Sequence, residues 1–390
     1  MFHFKLLAFA SCLAMVAIGP SIASPYDDCR NGNAFLDPDK QFAACDGAMQ
    51  AASEVKQKAF LRFKRAESLY WMNQFGLALD DVNLAIDADP QLVPAYIRRA
   101  WIYIMFRQWE DANRDIVEVL AREPRNAEAI FALSYVYTST EPSSERAFEA
   151  LRQAVEIDPN FHLARLDLAY KNYYRGDLEA MLKEFGTILA HDEAELDKVA
   201  FRSTYGNREA YPFSAFVRYQ RGMFLMFAHR DDEALADFDW LISRYPKIAL
   251  AFVFRGQVLR HKNNDIDALK DYSRAVELDP QNADARRGKG WTLLGMKKFD
   301  EAMVEADWMA GPVSPIRGEG YQLRAAISKV RGDSEQALLD LEEAFRNDPE
   351  LLSQMQQRLA ELGYISPQSG AVYSEEIRNG VRACIADPEC

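Results

Sequence analysis

Between Asn264 and Ala306 two amphipathic patterns follow one another with fixed punctuation, and this stretch constrains the whole chain. Small residues recur at Ala268, Ala275 and Ala302, bulky ones stand at Tyr272 and Trp291, and Asp279-Pro280 separates the two patterns. Small residues allow two helices to approach closely, and a bulky neighbour fills the hole beside them. The residue before a proline disfavours the α region, so Asp-Pro ends one helix and lets the chain turn. A helix pair of this kind cannot bury its apolar face alone and needs neighbours of the same kind.

The same pattern returns along most of the chain. Residues 59–92 carry Leu69, Ala78, Val82, Ala85 and Pro90, and residues 93–126 carry Tyr96, Ala100, Tyr103, Ala112, Ile116 and Pro124. Residues 127–161 add one residue in the polar turn Thr138–Ser144 and keep Ala147, Leu151, Ala154 and Pro159. Residues 162–195 keep Leu168, Ala169, Phe185 and Ile188 but have Met181 for the small residue and no proline. The period breaks at 196–214, with Gly206-Asn207 and Tyr211-Pro212, which reads as an insertion. It resumes over 215–248 (Gly222, Ala234, Phe238, Pro246), 249–282 (Gly256, Ala268, Tyr272), 283–317 (Gly290, Leu293, Ala302) and 318–351 (Ala325, Ala337, Pro349). Charged residues such as Glu233, Asp237 and Arg244 are expected on the solvent faces.

This pattern resembles the tetratricopeptide repeat, a helix–turn–helix unit of about 34 residues. The resemblance covers 59–351 and implies an all-α, right-handed superhelical solenoid of about eight repeats, four over 59–195 and four over 215–351. Residues 25–58 and 352–390 are then the two caps, which a solenoid needs to cover its end faces. In this family the first helices of successive repeats line a concave groove. Carried onto this chain, the groove residues are Phe63, Tyr70, Trp71, Ile97, Trp101, Met105, Tyr135, Tyr170, Tyr174, Tyr219 and Phe227. A more basic far end follows, with Arg260, Arg287 and Lys329. The resemblance thus implies an aromatic and Met-lined groove for an extended or helical apolar peptide, with Arg260 and Arg287 orienting an acidic end. Helix-on-helix packing is the alternative role for any one of these aromatics. Family members that clamp a C-terminal carboxylate use Lys and Asn at early groove positions, which are apolar here.

The two ends carry their own signals. Lys5 precedes the apolar run Leu6–Ile18, Gly19-Pro20 breaks it, and Ser21–Ser24 offers small residues for cleavage. Residues 1–24 therefore read as a signal peptide, and the mature chain is expected to be periplasmic or secreted. Cys12 would leave with it, so Cys29, Cys45, Cys384 and Cys390 remain. Export favours disulfides, and four cysteines allow three connectivities. The local pairs Cys29–Cys45 and Cys384–Cys390 would staple the two ends; free thiols are the alternative, and no histidine stands at ligand spacing for a metal. In the tail, Arg358–Tyr364 followed by Tyr373-Ser374 is similar to the small helical peptidoglycan-binding module, with Ser369-Gly370-Ala371 where that module has Asp-Gly. A plain helical cap is the other reading.

The formal charge of −13 argues against nucleic acid or an anionic membrane surface as partner. His162, His191, His229 and His261 fall in different repeats, and no phosphate-cradling loop, His-Glu-x-x-His or Gly-x-Ser-x-Gly is present. His191-Asp192-Glu193 reads as a solvated turn and Asp231-Asp232-Glu233 as an acidic first helical turn. No enzyme, cofactor, metal site or membrane span is expected. The expected role is a scaffold or adaptor of the bacterial envelope that binds a protein or peptide. Self-association into a homo-oligomer and tethering to peptidoglycan through the tail are the alternatives.

Overall fold

The computed structural model describes residues 25–34, 37–142, 145–199, 212–366 and 373–387, and every regular element among them is a helix. The segment 1–24, the centre of the expected insertion (200–211) and Cys390 lie outside the described residues. The chain forms two compact units, 1–184 and 185–390.

The first unit opens with a cap of α1 (Pro25–Asn31) and α2 (Pro38–Ala51). Asp37 starts α2: its carboxylate accepts from the Lys40 backbone N–H, and Pro38 follows at the first helical position. A disulfide joins Cys29 to Cys45, and the Gln41 side chain donates to the Cys29 carbonyl at 3.2 Å. Four helix pairs follow: α3 (Val55–Trp71) with α4 (Phe75–Ala88), α5 (Val93–Met105) with α6 (Trp109–Arg122), α7 (Ala127–Thr140) with α8 (Arg146–Ile157), and α9 (His162–Tyr174) with α10 (Leu178–Leu189). The unit boundary at Glu184 falls within α10. α3 begins at Val55, ahead of the expected start at residue 59, because Ala59 is already fully buried inside that helix.

Within each pair the small residues meet. Ala66 and Ala78, and Ala100 and Ala112, are fully buried, with Val82 and Ile116 filling the space beside them. Met181, which stands in the small-residue place of the fourth pair, is also fully buried. Asp89, Glu123 and Asp158, each before a proline, cap α4, α6 and α8 with φ between −139° and −125° and ψ between 78° and 96°, outside the helical region.

The second unit contains the short helix α11 (Glu193–Leu196), which Asp192 caps from its side chain. Four pairs follow: α12 (Phe213–Phe227) with α13 (Asp231–Arg244), α14 (Ala249–His261) with α15 (Asp265–Leu278), α16 (Ala283–Gly295) with α17 (Phe299–Ala310), and α18 (Arg317–Arg331) with α19 (Ser334–Asn347). α12 starts at Phe213, inside the stretch expected to be an insertion, because Phe213 itself is buried. Tyr272 shows the packing rule most clearly. Its ring is buried against Gly256, where a Cβ would come within 3.0 Å, and against Gly288, where a Cβ would overlap the ring. The unit ends in α20 (Pro349–Glu361), left through Gly363 at φ +80°, and α21 (Glu375–Ala386), capped by the Ser374 hydroxyl. Cys384 is disulfide-bonded.

A second repeating device joins the pairs. Arg65 clasps Asp81, Arg99 clasps Asp115, Arg221 clasps Asp237 and Arg255 clasps Asp271, each across 16 residues and through two bonds of 2.6 to 2.8 Å. Arg324 and Asp340 stand at the same spacing but meet through one contact, at 3.2 Å. The arginine lies on the first helix and the buried aspartate on the second. Several of these arginines also reach back to the preceding second helix, as Arg65 does to Asp46 and Arg99 to Asn83. Asp237 is therefore not a solvent-face residue; it is 1% exposed, and its charge is compensated by Arg221. Burial raises the Asp115 carboxyl even against the opposing pull of Arg99.

Candidate functional site

The first helices of the first unit carry an aromatic face. Glu128, Phe131 and Tyr135 share one side of α7 at helical spacing, and Trp101 of α5 lies across them. Ring centroids are 5.5 Å apart for Trp101 and Phe131, 5.3 Å for Trp101 and Tyr135, and 5.4 Å for Phe131 and Tyr135. The Trp101 indole donates to Glu128 at 3.2 Å, and the Tyr135 hydroxyl donates to Asp167 of α9 at 2.7 Å. One repeat before Trp101, on α3, Tyr70 stacks edge-on with Trp71 at 5.3 Å, and the Arg98 guanidinium sits 4.7 Å from the Tyr70 ring centre. Arg98 is held by Glu67 at 3.2 Å, and Lys64 shares the same carboxylate.

Burial governs the electrostatics here. The Asp167 carboxyl is pushed up to about 6 by burial, against the hydrogen bond from Tyr135 and the charge of Lys171. The Tyr70 and Tyr135 hydroxyls are likewise raised, chiefly by burial. Beside Glu128, a recess of about 720 Å³ opens at the turns before α7 and α9, lined by Glu123, Arg125, Ile157 and Asp158 among others.

The expected groove residues divide into three groups. Phe63 and Ile97 do not line a groove: they are 6% and 8% exposed and belong to the apolar core that α3 to α7 share. They stand one helical step from the outward positions and point between helices instead. Met105, Tyr135, Tyr174 and Phe227 are exposed, Tyr174 most of all at 81%. Tyr70, Trp71, Trp101, Tyr170 and Tyr219 are half-buried, with one side against a neighbouring helix. In the second unit Tyr219 stacks edge-on with Phe254 at 5.4 Å.

The basic end is largely committed to intramolecular contacts. Arg287 is paired with Glu319 at 2.6 Å and Asp284 at 3.0 Å. Lys329 donates to the carbonyls of Cys384 and Asp387, where it closes the C-terminal end of α21. Arg260 is exposed and borders Tyr272, whose hydroxyl burial pushes up to about 12. His229 and His261 face each other at 5.7 Å, with Asp231 3.6 Å from His261. Among the described residues, no group of three or more His, Cys, Asp or Glu side chains could hold a metal, and no helix is long and apolar enough to cross a membrane.

Glu67, Arg98, Glu128 and Asp167 were not anticipated as parts of this face. Their signal lies in the repeat offset, since residues 31 and 32 apart face each other on successive first helices, as in Glu67 with Arg98 and Tyr135 with Asp167.

Residues 97–161 and 266–307 match the family model described as "Tetratricopeptide repeat". The chain carries tetratricopeptide repeats. The repeats match a DnaJ protein P58IPK homolog of Arabidopsis thaliana at 24% identity over 336 residues, 79% of this chain and 64% of that protein. A DnaJ homolog subfamily C member 7 homolog of Dictyostelium discoideum is 22% identical over 52% of this chain and 37% of its own length. The chain thus spans less than two thirds of these curated relatives. Among solved structures, the tetratricopeptide chain is similar to the APC/C hetero-tetramer Cut9-Hcn1, with a TM-score of 0.43 and 15% identity over 82% of this chain and 59% of that one.

Proposed function

We propose that this tetratricopeptide chain is a non-catalytic scaffold of the bacterial envelope that holds a protein or peptide partner on the aromatic face of α5, α7 and α9. The observation that carries this reading is the cluster of Trp101, Phe131 and Tyr135, which stands on successive first helices with Tyr135 open to solvent. Met105 and Tyr174 extend the exposed apolar surface on α5 and α9. Aromatic residues supply much burial per residue at low entropic cost, and they dominate interaction hot spots. Protein binding is also the general use of this repeat family. Export is part of the proposal and rests on Lys5 and the apolar run Leu6–Ile18.

The test is affinity capture with the full chain and with a Trp101→Ala/Tyr135→Ala variant, followed by titration of the purified partner. Loss of about 2 kcal/mol or more of binding in a variant that still folds would support the reading. A partner that binds both proteins equally would remove the aromatic face from it. N-terminal sequencing of the protein recovered from the cell envelope tests export, with a mature start near residue 25 as the expected result.

A further inference from the structure

We infer that the aromatic face of the first unit takes a basic segment of its partner, with lysine or arginine side chains lying across Trp101 and Tyr135 and their charged heads at Glu128 and at Asp167. This rests on the reading that the face binds a partner, and it adds the chemistry of what is bound.

Two carboxylates on this face have no cation of their own. Asp167 accepts from the Tyr135 hydroxyl and Glu128 from the Trp101 indole, both neutral donors. Among the described residues no Lys, Arg or His side chain lies within 4 Å of either. The cations that face the same surface are engaged elsewhere: Arg98 by Glu67 and the Tyr70 ring, Lys64 by Glu67, and Lys171 by the Thr138 hydroxyl at 3.3 Å. The recess beside Glu128 repeats the imbalance, since Glu123, Glu128 and Asp158 face a single guanidinium, that of Arg125.

The aromatic walls favour the same ligand. A ring face attracts a lysine or arginine head through its quadrupole, and the apolar stem of either side chain packs against the ring. A cation arriving at Asp167 would offset the burial that raises its carboxyl, which the Tyr135 hydrogen bond and the charge of Lys171 oppose only in part. An acidic segment would meet two carboxylates held only by neutral donors and three cations already in use. At long range the formal charge of −13 steers basic ligands toward the chain.

The test pans a phage-displayed library of random peptides on the full chain. Selected sequences are resynthesised and titrated against the full chain, Asp167→Asn/Glu128→Gln and Trp101→Ala. Selected peptides should be rich in Lys and Arg. They should weaken about tenfold against the double variant and again when Arg is replaced by citrulline, the change expected for one charge-assisted hydrogen bond. Binding should also weaken from pH 7.5 to pH 5, as Asp167 titrates at about 6, and this change should shrink in the double variant. Basic peptides that bind the double variant undiminished would overturn the inference. Apolar or acidic peptides sensitive to Trp101→Ala would overturn it too, yet leave the partner-binding face standing. If no selected peptide responds to Trp101→Ala, both readings fail.

Discussion

Arg255 holds Asp271 through two parallel bonds, Nε to Oδ2 and Nη2 to Oδ1, each 2.7 Å long. Its remaining nitrogen reaches Asp239 on the preceding second helix at 2.7 Å. Removing the arginine leaves Asp271 buried and uncompensated, so Arg255→Met should cost about 3 kcal/mol. Replacing both partners, as Arg255→Met/Asp271→Leu, should recover most of that loss, because the desolvation of two charges is then no longer required. Urea unfolding read by hydrogen exchange in α14 and α15 measures both.

Close packing around Tyr272 predicts an asymmetry between glycines. Gly288→Ala should destabilise by about 1–3 kcal/mol, since the added Cβ would overlap the buried ring. Gly47, inside α2, has open space around it, and Gly47→Ala should stabilise by about 0.5–1 kcal/mol through helix propensity. Thermal unfolding of the two variants compares them directly.

Asp167 predicts a pH dependence with a defined sign. Its carboxyl titrates at about 6 in the folded chain against 3.8 ordinarily, so between those values the folded state binds more protons than the unfolded one. Its contribution is therefore greatest below pH 3.8 and is lost as pH rises through about 6. Asp167→Asn should accordingly stabilise α7 and α9 at neutral pH by about 1–2 kcal/mol and have little effect near pH 4. Hydrogen exchange of those helices at the two pH values is the measurement.

The cap disulfide closes a separation of 16 residues. Reduction, or Cys29→Ser/Cys45→Ser, should cost about 3 kcal/mol on the loop-entropy account. Exchange should quicken in α1 and α2 while α7 stays protected.

Much of the fold was legible because the packing rule is written into residue size. Ala268, Tyr272 and Ala275 repeat a small–large–small spacing that only paired helices satisfy, and each residue before a proline marks where a helix stops. The site was less legible. Trp101 and Ile97 are both apolar residues of α5, and only the placement of neighbouring helices decides that one borders solvent while the other enters the core. Asp237 looked solvated because its partner, Arg221, stands 16 residues earlier on another helix. Arg287 and Lys329 looked available for a ligand because their partners, Glu319 and the end of α21, lie on other helices.

The shared arginines bear on how the chain comes apart. Each couples its own helix pair to a buried aspartate, and Arg65, Arg99 and Arg255 extend the coupling to the pair or cap before. In the third repeat Leu133 and Ala150 occupy the places of that arginine and aspartate, so no such tie passes through α7 and α8. Both ends, by contrast, carry a covalent link, at Cys29–Cys45 and at Cys384. Repeat arrays ordinarily fray inward from their termini. Here one joint inside the array lacks the arginine–aspartate tie, and the helices beside it are those that display Trp101, Tyr135 and Asp167. The surface offered to a partner is thus also the surface with most to gain in local order when a partner bridges it.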